Sequence, residues 1–271
     1  MSRKSSLQLQ LLCRWANRVP ERTEFYFVDW GPILVLPRIE GLTKREIAIA
    51  AFLQPVHSQL CAIAVRVLWK ADQLVRALVA ALNSHDLIVA ATMARSLIET
   101  SAAFGCETDA ISELWKVRKA QPVPDLDTLA EFAGDAQGIV GQILFGTRLE
   151  WAKEPETGIR RTNIMTLIDK AAKLSENKWV RRNYEVLCDT VHPSIGSNRC
   201  FWEDEPIDLQ AERIRMFRTH RNASGVIGDL PFAVGQGSLW AAKWLGWMWS
   251  LRENTWKDLC LTAKTYALPY G

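Results

Sequence analysis

The stretch that decides the fold is HSQLCAIAVRVLWKADQLVRALVAAL, residues 57–82. Its apolar side chains recur every three or four residues, as they do along one broad face of an α-helix: Leu60, Ala64, Val67, Leu68, Leu74, Leu78 and Leu82. A half-buried strand would instead alternate apolar and polar residues. The stretch therefore predicts a long helix that buries one side in a hydrophobic core.

The same periodicity returns on both sides of this stretch. Thr43 and Glu46 have the spacing of a capping box, and Pro55 predicts an interruption of the helix that they begin. Ser84 and Gly105 predict the bounds of the next helix. Further helical patterns cover 109–120, 125–146, 162–175, 177–192, 208–228, 230–251 and 256–267, and those at 162–175 and 177–192 predict a helical hairpin. We therefore predict an all-α protein: a single multi-helix bundle domain of eight to ten helices at 43–271, after an irregular N-terminal arm at 1–42.

Composition narrows the class of protein. The chain has 271 residues, of which 48% are hydrophobic and 23% charged, as in ordinary soluble globular proteins. A net charge of +3 does not by itself predict nucleic-acid binding, because it says nothing of how charges cluster. The six Cys form no C-x-x-C pair, and their scatter through apolar runs predicts reduced thiols in a cytoplasmic protein. The basic N-terminus lacks the long apolar segment of a signal peptide.

Residues 230–251 carry one charge, Lys243, over a length that could span a bilayer. Gly235, Gln236, Gly237 and Ser238 interrupt the apolar run, so a buried bundle helix is predicted here and no membrane partner. Trp240, Trp244 and Trp247 share one face of this helix. Such a stripe is typical of a core or a dimer interface, and a base-stacking platform is the alternative.

A second stretch, YEVLCDTVHPSIGSN at 184–198, raises the question of function. Helical spacing separates an apolar stripe from an ionisable one, which comprises Arg182, Glu185, Asp189 and His192. Asp189 lies one turn before His192, where a carboxylate can orient an imidazole and fix its tautomer. The alternative is structural: Pro193 ends the helix, and His192 is an ordinary residue of its last turn.

Two motifs carry a resemblance to a known family. The helix ATMARSLIETSAAF contains R-S-L-x-E at 95–99, and the second stretch contains Y-x-x-L-(S/C)-x-x-x-H-P-S at 184–194. Together they resemble a group of bacterial helical proteins that are similar in architecture to HEPN domains, which bind nucleotides or cleave RNA. The resemblance covers about 90–200, implies a HEPN-like core at about 57–200 with C-terminal helices at about 208–267, and implies that Arg95, Glu99, Tyr184 and His192 lie near one another.

The resemblance implies ribonuclease chemistry without a metal or other cofactor. Arg and His, often from two subunits, promote attack of a ribose 2′-hydroxyl on the adjacent phosphate. His192, oriented by Asp189, is the expected acid or base, and Arg95 or Arg182 the expected phosphate contact. The implied partners are RNA and a second copy of the chain, or a larger complex, in a bacterial defence or toxin system. A non-catalytic subunit that binds protein or nucleotide is the alternative.

The chain departs from the HEPN signature, R-x4–6-H, because ten positions separate Arg182 from His192. The stretch RIRMFRTH does contain this spacing, which also arises by chance in a chain rich in Arg. It predicts a basic helix face that could contact phosphates, formed by Arg213, Arg215, Arg218, His220 and Arg221.

Metal chemistry receives less support from the sequence. Asp189 and His192 form only one half of a di-iron carboxylate motif, and no second such pair is present. His57 and the His85–Asp86 dipeptide suit an HD phosphohydrolase, but Ser84, His85 and Asp86 also suit a helix start. Phosphate-binding glycine loops and the G-x-S-x-G elbow are absent from the sequence. No metal site and no cofactor are predicted.

Overall fold

The computed structural model describes residues 44–120, 126–144, 162–194 and 229–267, together with residues 10, 14, 17, 197, 200 and 201. Of these residues 88% are helical and none belongs to a strand, so the predicted all-α class is confirmed. The predicted N-terminal arm, apart from three single residues, lies outside the described residues. The basic helix face predicted at Arg213–Arg221 lies outside them as well.

The described residues form six helices. They are α1 (Lys44–Asn83), α2 (Leu87–Lys119), α3 (Leu126–Leu144), α4 (Ile164–Leu174), α5 (Trp179–Val191) and α6 (Leu230–Ala267). The predicted count of eight to ten is therefore wrong for this part of the chain. Three helices are longer than expected, because α1 continues through Pro55, α2 through Gly105, and α6 through residues 252–255.

The continuation of α2 through Gly105 has a clear cause. A glycine inside a helix costs about 1 kcal/mol relative to alanine, but it ends the helix only where the chain turns into the left-handed region. Its neighbours Phe104 and Cys106 are both buried. Burial of an apolar face stabilises a helix more than the propensity of one residue weakens it.

The described residues group into two compact units. Unit 1 comprises the described residues of Met1–Val19, Val67–Ala103 and Ile164–Gly246. Its core combines small residues that let helices approach closely, such as Ala90 and Ala94, with larger ones such as Ile98 and Leu187, all of them 0% exposed. At Gly237 a side chain would meet Ile98 Cδ1 at 2.7 Å, so α6 lies against α2 with no room for a methyl group.

Unit 2 comprises the described residues of Pro20–Arg66, Phe104–Asn163 and Trp247–Gly271. Trp115 of α2 packs edge-on against Phe132 of α3, with 5.3 Å between the ring centroids. Its indole Nε1 donates a hydrogen bond of 2.8 Å to Asp258 Oδ2 of α6. A buried Trp is usually held this way, by an apolar contact and one hydrogen bond for its N–H.

Helices α4 and α5 form the hairpin that the sequence predicted. Ile168 and Ala171 of α4 and Val180 and Leu187 of α5 are buried. The turn between them is closed by a bond from the Asn177 N–H to the Ala172 carbonyl, at 3.0 Å. This hairpin fixes which side of α5 faces the rest of unit 1.

The stripe of tryptophans on α6 is largely core. Trp240 and Trp244 are buried and stacked, with 5.7 Å between ring centroids, whereas Trp247 is 53% exposed. By length and composition, one described helix segment could cross a membrane, Leu87–Arg118 of α2, and half of its apolar window is buried. Core helices of bundles have the same properties, so this segment is weak support for a membrane span.

Candidate functional site

Helix α2 provides an arginine and a glutamate one turn apart. Arg95 Nε lies 3.0 Å from Glu99 Oε1, and the two side chains are 22% and 23% exposed. Pairs at this spacing meet on one helix face. Because the side chains are mostly buried, the guanidinium is held in one orientation more firmly than in an exposed pair.

Helix α5 adds a tyrosine that holds this pair in place. Tyr184 is 1% exposed, and its hydroxyl donates a hydrogen bond of 2.7 Å to the same Glu99 Oε1. The guanidinium carbon of Arg95 lies 5.6 Å from the centroid of the tyrosine ring, within the range of a cation–π contact. Burial and the bond to Glu99 raise the pKa of Tyr184 well above its usual range, so the hydroxyl remains a donor.

The histidine stands at the C-terminal cap of α5. His192 has extended backbone, with φ −78° and ψ 156°, as expected of a residue before proline. Its backbone N–H donates to the Cys188 carbonyl at 2.9 Å, which completes the last turn. The imidazole is exposed, and its Nε2 lies 3.2 Å from Arg95 Nη1.

This last contact defines the tautomer of the imidazole. A guanidinium has only donors, so Nε2 of His192 must be the acceptor. The neutral imidazole in this contact then carries its proton on Nδ1. Burial lowers the pKa of Arg95, but the neighbouring Tyr184, Cys188 and Glu99 raise it by more, so the guanidinium remains charged.

The loop that follows is held by serines. Ser194 N–H donates to Ser197 Oγ at 3.2 Å, and Ser197 Oγ donates to the Ser194 carbonyl at 3.0 Å. Ser194 Oγ also donates to the Asp189 carbonyl, one of the last acceptors of α5. The serine hydroxyls therefore tie the chain after His192 back to the helix end.

Four of the predicted site residues are in direct contact: Arg95, Glu99, Tyr184 and His192. Two others lie elsewhere. Asp189 is exposed, and among the described residues its carboxylate makes no hydrogen bond to His192. The imidazole is contacted by Arg95 instead. Arg182 forms an ion pair with Asp229, 2.6 Å between Nη2 and Oδ2, on the other side of α5.

One member of the cluster was absent from the sequence-based prediction of the site. Cys188 is half-buried, one turn before His192, and interacts with Tyr184 and Arg95. Burial raises its pKa above the ordinary value, so the group is a neutral thiol. Its place on the apolar stripe of α5 predicted a core residue, because helical spacing does not show the interaction with Arg95 of another helix.

The described residues offer no evident metal site. Within them, no group of three or more His, Cys, Asp or Glu side chains could hold an ion. His85 and Asp86 lie exposed in the turn between α1 and α2, where His85 has a positive φ of 59°.

Comparisons with protein-family models, with curated proteins and with solved structures find no match for this chain. The candidate site consequently rests on its geometry. A cation held by a half-buried carboxylate and a tyrosine lies beside an exposed imidazole. Such a pair can bind an anionic group and accept a proton from a hydroxyl next to it.

Proposed function

We propose that the protein is a metal-independent endoribonuclease of the HEPN-like kind, with the cluster of Arg95, Glu99, Tyr184 and His192 as its active site. The observation that carries the proposal is the contact of 3.2 Å between Arg95 Nη1 and His192 Nε2 at an exposed helix end. Cleavage of RNA without a metal requires a base for the 2′-hydroxyl and a cation for the phosphorane. This contact supplies both in one place.

The reaction follows from the donors and acceptors of the pair. A phosphate that reaches Arg95 takes over its N–H donors, which releases Nε2 of His192. Nε2 then accepts the proton of the 2′-hydroxyl, whose oxygen forms a bond to phosphorus as the bond to the 5′ oxygen breaks. The leaving 5′ oxygen takes a proton from water, and the products are a 2′,3′-cyclic phosphate and a 5′-hydroxyl.

Glu99 and Tyr184 are positioning residues in this proposal. Glu99 Oε1 accepts from both Arg95 Nε and the Tyr184 hydroxyl, which fixes the direction of the guanidinium. A cation whose orientation is already set loses little freedom when the charge of the transition state develops. The resemblance adds the context: a cytoplasmic protein of a bacterial defence or toxin system, acting as a homo-oligomer or as a subunit of a defence complex.

The test is cleavage of a 5′-labelled single-stranded RNA in EDTA by the full chain and its variants. His192→Ala is expected to slow cleavage by ~10²–10⁴-fold, because it removes a general base. Arg95→Ala is expected to slow it by ~10²–10³-fold, because it removes the charge that stabilises the transition state. His85→Ala and Arg181→Ala are matched controls, since both residues are outside the cluster, and they should cleave as the parent does.

Two further readouts separate this chemistry from others. A single 2′-deoxy nucleotide at the cleaved position should abolish the cut, and the 5′ fragment should carry a cyclic phosphate. Tyr184→Phe should lower kcat by about tenfold with little change in KM, as expected for the loss of one positioning hydrogen bond. Equal cleavage by His192→Ala, or cleavage that needs a divalent metal, would overturn the proposal. Folded protein that cleaves no RNA would leave the non-catalytic subunit as the function.

A further inference from the structure

A cavity lies on the face of α5 opposite the Arg95–His192 cluster, within unit 1. It has a volume of about 240 Å³ and is lined by Trp179, Arg182, Asn183, Val186, Asp229 and Phe232. Residues 179, 183 and 186 share one side of the helix, whereas Tyr184 and Cys188 point to the other side. The cavity is therefore separate from the Arg95–His192 cluster, and an inference about it does not depend on ribonuclease activity.

A buried carboxamide in this cavity lacks a partner. Asn183 is 5% exposed, and its side chain makes no hydrogen bond with any of the described residues. The oxygen and nitrogen atoms of the carboxamide keep some accessible surface, so a molecule in the cavity can reach them. The carboxamide can therefore donate to and accept from a molecule that enters the cavity.

Two exposed aromatic rings border the same cavity. Trp179 of α5 is 46% exposed and Phe232 of α6 is 50% exposed. Exposed aromatics that line one cavity are typical of a surface that receives a planar group. An isolated exposed ring would carry no such meaning.

The rim of the cavity is polar and charged. The Arg182 guanidinium lies 5.5 Å from the Trp179 ring centroid, and the Lys178 ammonium lies 5.7 Å from it. Asp229 neutralises Arg182 through an exposed ion pair, which is weak enough to rearrange. The sugar and phosphate of a nucleotide could therefore remain at the charged rim while its base enters the cavity.

We propose that this cavity binds an adenine base, stacked on Trp179 and Phe232 and recognised through its edge by Asn183. A carboxamide pairs with adenine by donating to N7 and accepting from N6, and no other common base offers that pattern on the same edge. Stacking on aromatic rings is the usual means by which proteins hold an unpaired base. The volume is smaller than that of a typical drug-sized pocket, which suits a single base.

The experiment compares AMP with UMP, and oligo(A) with oligo(U), by calorimetric titration of the full chain. A His192→Ala background in EDTA keeps the RNA intact, so the outcome is independent of the proposed cleavage. Adenine ligands are expected to bind about tenfold more tightly than uracil ligands. Trp179→Ala is expected to weaken adenine binding about tenfold, since stacking of one base is lost.

Matched variants keep the proposal falsifiable. Asn183→Leu should remove the preference for adenine and should not lower the thermal midpoint, because the amide has no described partner to lose. Trp247→Ala removes an exposed tryptophan that does not line the cavity, and it should bind as the parent does.

Comparison of AMP with oligo(A) shows whether the bound base belongs to a mononucleotide or to an RNA strand. Binding of oligo(A) without AMP identifies an RNA strand, and binding of AMP alone identifies a mononucleotide; either supports base recognition. Three outcomes would overturn the proposed adenine site. They are binding without base preference, binding that Trp179→Ala and Asn183→Leu leave unchanged, and no binding of any of the four ligands.

Discussion

Two glutamates on α2 have very different surroundings. Glu99 accepts hydrogen bonds from Arg95 and Tyr184. Glu107 is 4% exposed, and neither of its carboxyl oxygens has a partner among the described residues. It borders a cavity of about 20 Å³ in unit 2, lined by four apolar side chains, two threonines and Arg252, with room for about one water molecule. Burial raises the pKa of Glu107 to about 8, against the opposing charge of Arg66.

This pKa predicts a pH-dependent stability. The folded chain keeps a proton on Glu107 up to about pH 8, whereas the unfolded chain releases it near the usual value of 4.5. The stability that Glu107 contributes is therefore fully present below pH 4.5 and declines as the pH rises to about 8, by at most about 1.4 kcal/mol per pH unit. Urea unfolding at pH 5, 7 and 9 measures the decline.

The variant Glu107→Gln should remove most of this slope, because glutamine keeps the shape of the side chain without its titration. Glu113→Gln is the control, since Glu113 is an exposed carboxylate on the same helix and should leave the slope unchanged. An identical slope in Glu107→Gln and in the parent chain would show that another group titrates.

At the scale of elements, Gly237 sets how closely α6 packs. A Cβ there would lie 2.7 Å from Ile98 Cδ1 and 3.8 Å from Leu187 Cδ1, and both of these side chains are 0% exposed. Ile98 follows Arg95 by one turn of α2, and Leu187 precedes Cys188 in α5. The absence of a side chain at Gly237 thus lets three helices meet beside the Arg95–His192 cluster.

We expect Gly237→Ala to lower the free energy of unfolding by up to about 2 kcal/mol. Overpacking a filled core costs ~1–3 kcal/mol, of which the better helix propensity of alanine returns about 1 kcal/mol. Gly235→Ala is the matched control, because no atom lies within 4 Å of its added Cβ, and it should be neutral or stabilising. Chemical denaturation of both variants is decisive: equal losses would mean that contact with Ile98 is not the cause.

Each of the two described turns between neighbouring helices contains a residue other than glycine with a positive φ angle. His85 between α1 and α2 has φ 59°, and Glu176 between α4 and α5 has φ 51°. In each turn an N–H bonds back across five residues, from Asp86 to Ala81 at 2.8 Å and from Asn177 to Ala172 at 3.0 Å. Glycine usually occupies the left-handed position of this helix cap.

Glu176→Gly is therefore expected to raise the free energy of unfolding by up to about 1 kcal/mol, because glycine takes the left-handed conformation without strain. Glu185→Gly supplies the contrast. Glu185 is an exposed residue inside α5, where glycine should cost about 1 kcal/mol. Thermal melts of the two variants should shift in opposite directions, and shifts of the same sign would contradict the role of the positive φ.

For the whole molecule, the all-α class and the α4–α5 hairpin could be predicted because helical periodicity is a local property of the sequence. The number of helices could not, because a glycine such as Gly105 marks a helix end only if tertiary packing permits the turn. The division into two compact units could not be predicted either. Each unit draws on three separate stretches of the chain, and no local pattern records such pairings.

The contacts of the candidate site could likewise be predicted only where they are local in the sequence. The pairing of Arg95 with Glu99 follows from helical spacing. The contacts of Tyr184 with Glu99 and of His192 with Arg95 join residues 85 and 97 positions apart, and only the resemblance to a family suggested them. Helical spacing predicted Asp189 behind the imidazole, whereas among the described residues it is Arg95 that contacts the ring.

The two occupied faces of α5 have a consequence for its evolution. Tyr184, Leu187 and Cys188 serve one side of the helix, while Trp179, Arg182 and Asn183 border a cavity on the other. Few of the 13 residues of α5 can therefore be substituted without loss of a contact on one side or the other. Asp189 is the freest of them, since it is exposed and its side chain has no described partner. Among natural variants of this chain, substitutions in α5 should therefore accumulate first at Asp189.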